Sequence, residues 1–394
     1  MNLLTEPLVE VEPEAPSVSV REGLRLSQVP MIGLRLLIGV FLCTGLPAAV
    51  LVVGWTFRLM RRRIVRGWWR QSDARAGLRF EEFVRTVPVD VSSAPLPRWF
   101  VASDFRSRLQ RPNRKGQAPG RLRMALRIPR LLLGGLLENV CYGLLVLFVS
   151  ALFVWPGGLF LLGGWEYGWN VSFNKGYEQA YIGRTVGFVG VVMLASAMCY
   201  VPMATTHLAI SGNIRSFFQF RLIFRLIRHK RVSLAGYALL VVALGFPASF
   251  LWGMVVFLPN MFPWLETATP RQMNTFIQRF SLLGAFYVFP AYVVVHLAAA
   301  RIYRGAVLNL IRREPEWGDR MPASTRRILE SLDLWESEPA RRPNRLIRAV
   351  VSTSRRGSHA MLWVVTVLAW FLVPAEMLLA QFLVYHPYLV WLNP

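Results

Sequence analysis

The chain has little acidic charge and little cysteine. Asp and Glu supply 22 of its 394 residues, whereas Lys and Arg supply 45, so the formal net charge is +23. The three cysteines, Cys43, Cys141 and Cys199, lie in separate apolar runs, far from the close spacing of a metal site or a redox pair. The sequence therefore predicts no cysteine-based metal or redox chemistry.

Common catalytic motifs are absent as well. The sequence has no phosphate-binding glycine loop, no HExxH and no GxSxG. We accordingly predict no catalytic residue, no metal and no cofactor. A membrane enzyme that acts on lipid through a dispersed site would leave no short motif, so it stays an alternative.

Long apolar stretches are what the sequence does have. Hydrophobic residues make up 54% of the chain, and a helix of about 20 apolar residues crosses the hydrocarbon of a bilayer. A helix satisfies its backbone polar groups within one segment, as hydrocarbon requires. The sequence therefore predicts an all-α, polytopic integral membrane protein with six transmembrane helices. The predicted spans are residues 36–57, 131–154, 183–210, 232–258, 281–300 and 359–385.

Polar segments surround these spans. Residues 1–35 form an acidic tail and a short lead-in, and residues 58–130 form a basic loop inside a membrane domain at 36–300. A second basic segment, 301–358, precedes the sixth span. Residues 386–394 are predicted to be a C-terminus on the outer side, and the N-terminus is predicted to lie there too.

The positive charge is concentrated in three places. Arg58–Arg130, Arg215–Arg231 and Arg301–Arg356 together hold 38 of the 45 Lys and Arg residues. Cytoplasmic loops collect Lys and Arg, which predicts that these segments face the cytoplasm. The charge lies beside spans, not on a separate basic domain, which argues against nucleic acid. The predicted partners are the lipid bilayer, its anionic phospholipid headgroups and other membrane protein subunits.

One basic segment also has helical periodicity. Between Asn213 and Arg231, aromatic and aliphatic side chains recur on one face and arginines on another. This pattern predicts a basic amphipathic interfacial helix, with a turn and cap at Gly212-Asn213. The helix either docks lipid or a partner, or only anchors the bundle. The candidate contact residues are Arg215, Phe217, Phe220, Arg221, Phe224, Arg225 and Arg228.

Four ionisable residues lie within the predicted spans. Glu138 and Glu376 are expected to face the bundle interior, because charge at the bilayer centre costs about 2.5–3.5 kcal/mol on insertion scales. They either line a proton or cation route or are hydrogen-bonded to a neighbouring helix, with Asn139 a local partner for Glu138. His207 and His296 are expected to be hydrogen-bonded structural residues, with a proton relay as the alternative.

Two further patterns concern helix geometry. Trp155-Pro156-Gly157-Gly158 predicts a break at the end of the second span, after which residues 159–162 could re-enter the membrane. In the third span, the Gly183/Gly187 spacing with Gly190 close by predicts close contact with another helix.

The sequence also contains several short motifs near the ends of predicted spans. They are Gly54-Trp55-Thr56-Phe57-Arg58-Leu59-Met60-Arg61, then Leu96-Pro97-Arg98-Trp99, and later Ser211-Gly212-Asn213-Ile214-Arg215-Ser216-Phe217-Phe218 before Ile223-Phe224-Arg225-Leu226-Ile227-Arg228. These motifs resemble those of a family of uncharacterised bacterial polytopic membrane proteins. The resemblance covers roughly residues 36–260. It implies a membrane fold in the bacterial inner membrane and no established activity. Arg98 and a longer, more basic linker depart from the family pattern.

These observations favour a non-catalytic membrane scaffold or accessory subunit with a basic inner surface. The alternatives are a proton- or ion-coupled transporter or channel-like protein that uses the intramembrane carboxylates, and a membrane enzyme that acts on lipid.

Overall fold

The computed structural model describes residues 29–77, 80–86, 121–165, 178–261, 265, 267–335, 360–373 and 375. This part of the chain is almost entirely helical and contains no strand, which confirms the all-α prediction for it. The helices are α1 Val29–Cys43, α2 Leu46–Trp69, α3 Ala74–Gly77, α4 Phe80–Thr86, α5 Arg121–Trp165, α6 Glu178–Ser211, α7 Ile214–Phe217, α8 Phe220–His229, α9 Arg231–Met261, α10 Pro270–Arg313, α11 Ala323–Glu330 and α12 Ala360–Val373.

Four of these helices are long and apolar enough to cross a membrane. They contain the second to fifth predicted spans, so the protein has the helices of a membrane protein. The apolar segments are Arg127–Gly164 in α5, Thr185–Ser211 in α6, Arg231–Leu251 in α9 and Pro270–Arg313 in α10. The sixth predicted span is described only over α12 and residue 375. Several predicted polar segments lie outside the described residues. They are residues 1–28 of the acidic tail and lead-in, residues 87–120 and 336–358 of the two basic segments, and the C-terminus at 386–394.

The first predicted span differs from the structure, because two helices share it. Thr44 and Gly45 separate α1 from α2, and Gly45 has an extended backbone. Pro47 follows in the first turn of α2, where its missing N–H costs nothing. α2 then continues to Trp69, well past the predicted end at residue 57. The first turns of the predicted basic loop are therefore helical.

α5 and α6 form a tightly packed antiparallel pair. α5 runs through Pro156 to Trp165, so the predicted break is wrong and residues 159–162 continue the same helix. A Cβ built on Gly164 would lie 2.3 Å from the Gly187 nitrogen, and one on Gly190 would lie 2.4 Å from the Leu161 nitrogen. The close contact predicted for the third-span glycines is confirmed.

α10 is longer than its predicted span at both ends. Its 44 residues extend for about 66 Å at 1.5 Å per residue, more than twice the thickness of a hydrocarbon core. Thr269 and Gln272 form a capping box, in which the Gln272 Oε1 accepts from the Thr269 N–H at 2.8 Å. Thr269-Pro270-Arg271-Gln272 is a recognisable pattern for the N-terminus of a helix, but the sequence analysis did not predict that α10 begins here.

The helices meet in a folded core at one end of the bundle, which we call the basic end. α2 and α6 finish there, α9 begins there, and the last turns of α10 pass through it. Ile223 and Leu226 of α8 are buried in the same cluster as Val307 and Leu310 of α10 and Ile328 of α11. The basic end is thus a packed unit that continues the membrane helices.

Candidate functional site

A buried polar contact joins α2 to α5. Arg58 is 5% exposed, and its Nη1 donates to Asn139 Oδ1 at 3.0 Å. The same nitrogen lies 3.7 Å from Glu138 Oε2. Asn139 therefore accepts a hydrogen bond from Arg58. The sequence had suggested Asn139 as a local partner for Glu138. The Glu138 carboxylate faces a cation from the neighbouring helix, as expected for charge within a membrane span.

Arg61 and Arg62 are buried near Arg58 on the same helix. The Arg61 Nε donates to the Ala209 carbonyl in the last turns of α6. The Arg62 guanidinium lies 5.3 Å from the ring centre of Phe80 in α4. These arginines lie in the segment predicted to be a basic cytoplasmic loop. Together with Arg58, they instead join α2 to α4, α5 and α6. Gly54, Arg58, Arg61 and Trp68 recur at helical spacing, and this stripe could have revealed their burial.

His207 is the centre of a second buried contact. Its ring is 1% exposed, with Nδ1 2.7 Å from the Tyr303 hydroxyl and Nε2 2.9 Å from Gln219 Oε1. The contact ties α6 to α10 and to the turn before α8. Both ring nitrogens have a partner, as expected for a structural histidine.

Of the other two predicted intramembrane residues, the structure describes only His296. His296 Nδ1 lies 2.8 Å from the Tyr292 carbonyl of its own helix. Glu376 lies outside the described residues. The described residues include no group of three His, Cys, Asp or Glu side chains that could hold a metal ion.

The predicted amphipathic helix is divided in the structure. Asn213 caps the short α7 by accepting from the Arg215 N–H at 3.0 Å, as predicted, and Gly212 has a positive φ of 68°. Phe218 and Gln219 then separate α7 from α8. Arg215 is exposed beside the cap. The turn directs α8 back against α6 and α10 instead of away from the bundle.

The apolar residues of α8 have two different surroundings. Leu222, Ile223, Leu226 and Ile227 form a face packed within the protein. Phe220 is 43% exposed and Phe224 is 55% exposed, whereas Phe217 of α7 is fully buried. Phe217 is therefore not a surface contact, which corrects the prediction for it. Its carbonyl accepts from the Tyr200 hydroxyl, and its ring packs on Phe153.

We call Phe218, Phe220 and Phe224 the aromatic edge. Phe153 of α5 lies 6.1 Å from Phe218 and 6.0 Å from Phe220 between ring centres, so the edge continues the apolar surface of the membrane helices. Arg221 and Arg228 are exposed on the next face of α8. An aromatic strip next to a cationic strip is the pattern of an element at a bilayer surface.

Arg225 is held more firmly than its neighbours. Its Nη1 donates to Glu314 Oε2 at 3.2 Å, and its guanidinium lies 5.2 Å from the Trp317 ring centre. His229 Nε2 lies 3.3 Å from the other Glu314 oxygen. Burial lowers the pKa of His229, and the Glu314 carboxylate opposes that shift. Arg225 therefore stabilises the packing of α8 against the end of α10, and it also contributes positive charge to the surface.

Comparison with protein-family models, with curated proteins and with solved structures found no match. The family resemblance over residues 36–260 accordingly stays a sequence prediction, and the functional argument depends on the geometry described above.

Proposed function

We propose that this protein is a non-catalytic membrane scaffold or accessory subunit whose basic end lies against anionic phospholipid headgroups. One observation carries the proposal: the aromatic edge is exposed next to Arg221 and Arg228, while the aliphatic face of α8 is already packed inside the protein. The exposed residues of α8 are thus available to the bilayer or to another subunit of the same membrane. Each Lys or Arg near an anionic surface contributes about 1 kcal/mol.

The buried polar contacts support the same proposal. Arg58 contacts Asn139 and lies beside Glu138, and His207 contacts Tyr303 and Gln219. Each contact joins different helices, which is what a rigid scaffold needs. Polar groups held in this way stabilise helix packing within a membrane.

The test is the depth of the aromatic edge in a bilayer. A spin label is placed at Phe224→Cys in full-length protein whose three native cysteines are replaced by Ala, reconstituted in vesicles that contain phosphatidylglycerol. We expect molecular oxygen to relax the label more than a water-soluble nickel complex does. A matched label at Arg326→Cys, where the native side chain on α11 is 43% exposed, should show the opposite preference. A label at position 224 that is as accessible to nickel as the one at 326 would overturn the proposal.

A proton- or cation-coupled transporter is the second candidate, favoured by one observation. The Glu138 carboxylate is partly exposed and lies 3.7 Å from Arg58, so a conformational change could alternate its partner between Arg58 and a cation. Vesicles loaded with a pH dye and given a potassium gradient with valinomycin test this. If the protein is a transporter, wild-type vesicles should show proton flux, and Glu138→Gln should remove that flux. Wild-type vesicles with no more proton flux than protein-free vesicles would exclude the transporter.

A further inference from the structure

The basic end contains a cavity between α9 and α10 that the proposed function does not use. It has a volume of about 810 Å³, within the range of ligand-binding cavities. It is lined by Gln71, by Lys230, by residues of α9 between Ser233 and Leu240, and by residues of α10 between Ala298 and Arg312. It is distinct from the aromatic edge, because none of the three residues of that edge lines it.

Four cations line this cavity, and no acidic residue does. They are Lys230, Arg301, Arg304 and Arg312, all among the described residues. Arg301, Arg63 and Arg70 lie close enough to Arg304 to repel its charge. The Arg304 Nε is buried without a hydrogen-bond partner in the described part of the chain. Such a concentration of like charge is stabilised by a bound anion.

Two glycines position the cations. A Cβ built on Gly67 would lie 2.0 Å from Arg304 Nη1, so this glycine lets the guanidinium lie against α2. A Cβ built on Gly305 would lie 3.0 Å from Lys230 Cε, so Gly305 lets the lysine cross α10. The positive groups of two chain segments, Lys230 before α9 and the arginines of α10, therefore converge at the same cavity.

Part of the cavity lining is apolar. Tyr237 and Leu240 of α9 and Ala298 and Ile302 of α10 line it. These residues continue into the apolar spans of both helices. A cavity lined by both cations and apolar side chains matches a phosphate group that carries acyl chains, whereas a free phosphate would use only the cations.

We infer that the α9/α10 cavity is a specific site for one anionic phospholipid, whose phosphate lies among Lys230, Arg301, Arg304 and Arg312. The inference rests on the proposed function in taking anionic lipid as the partner, and it adds a defined site with a stoichiometry. Basic pockets between membrane helices at the cytoplasmic surface bind such headgroups in other proteins.

Gly236 offers a way to fill the cavity without disturbing the helix. It lines the cavity, and a Cβ at this position would meet no atom within 4 Å. Gly236→Trp should therefore occupy the site of the lipid. Gly284→Trp is the matched control, because Gly284 lies in α10 outside the cavity and also has open space around its Cβ.

The experiment measures retained lipid by native mass spectrometry. Full-length protein is reconstituted in nanodiscs of phosphatidylcholine with a minor fraction of phosphatidylglycerol, then extracted in mild detergent. Wild type and Gly284→Trp should retain one phosphatidylglycerol, and Gly236→Trp should retain none. Arg301→Gln should lower the affinity about fivefold, which corresponds to about 1 kcal/mol. Arg271→Gln, at the opposite end of α10, should not change it.

The outcomes separate this inference from the proposed function. Wild type without a retained anionic lipid, or Gly236→Trp retaining as much as wild type, overturns the cavity site whatever the spin label at position 224 shows. Retention of phosphatidylcholine in equal amount overturns the charge selectivity. Inorganic phosphate that displaces the lipid would assign the site to a soluble anion. If the label at 224 reports water while one phosphatidylglycerol is still retained, the aromatic edge fails and the cavity site stands.

Discussion

At the scale of single residues, buried arginines distinguish this protein. Arg58, Arg61 and Arg62 are each less than 10% exposed and reach carbonyl, amide or aromatic partners on other helices. A buried charge is costly alone, and its partners then determine which helices can pack beside it. These arginines therefore help to specify how α2, α4, α5 and α6 are arranged.

Replacing Arg58 by Ala should be strongly destabilising. The change removes the donor to Asn139 and the cation that lies beside Glu138, and breaking a buried pair costs about 3–5 kcal/mol. Thermal unfolding of the purified protein in detergent measures the loss. Arg63→Ala is the control, because Arg63 is exposed on the same helix and its removal should change the midpoint little. Equal midpoints for the two variants would show that the Arg58 contact is not structural.

Tyr303→Phe should be destabilising to a smaller extent. It deletes one hydroxyl and leaves His207 Nδ1 buried without its partner, which costs about 1–3 kcal/mol. The same unfolding measurement applies. Tyr287→Phe removes a hydroxyl that donates to the Leu244 carbonyl in a less buried place, so its smaller effect provides the comparison. An unchanged midpoint in Tyr303→Phe would contradict a structural role for the His207 contact.

At the scale of elements, close backbone packing joins α5 to α6. Gly157, Gly164 and Gly190 each lie where a Cβ would approach the facing helix backbone within 3 Å. Helices that cross a membrane gain stability from such contact, because lipid offers no hydrophobic drive for them to associate. The pair is therefore expected to move as one unit.

Gly190→Ala should separate α5 from α6. Its Cβ would lie 2.4 Å from the Leu161 nitrogen, so backbones must shift, at a cost of about 1–3 kcal/mol. Gly158→Ala on α5 is the matched control, since nothing lies within 4 Å of its Cβ. Unfolding midpoints in detergent should fall for Gly190→Ala alone. A fall of the same size in both variants would point to a helix effect unrelated to packing.

At the scale of the whole molecule, the sequence predicted the helices better than their contacts. Apolar length identified four helices that could span, and the Asn213 cap and the close contact at the third-span glycines followed from local patterns. It was harder to predict which helices pack together, because the burial of Arg58 depends on α5 lying beside α2. The cavity likewise exists only because α9 and α10 pack together. Pro156 misled the prediction, since a membrane helix tolerates proline where its neighbours satisfy the backbone.

The molecule as a whole combines a helical bundle with a cationic packed end. Arg221 and Arg228 lie on the surface of that end, and Lys230 and Arg301 line its cavity. The central claim is that this end is held against anionic phospholipid. The claim concerns the protein in its own membrane, so it is best tested there.

The most direct measurement is affinity purification from native membranes in mild detergent, with mass spectrometry of the lipids and proteins that co-purify. The ratio of anionic to zwitterionic phospholipid on the protein is compared with the ratio in the starting membrane. We predict enrichment of anionic phospholipid, lowered in the variant with Arg221→Gln, Arg228→Gln and Arg301→Gln, and a stoichiometric protein partner if the protein is a subunit. A lipid ratio equal to that of the membrane would contradict the account.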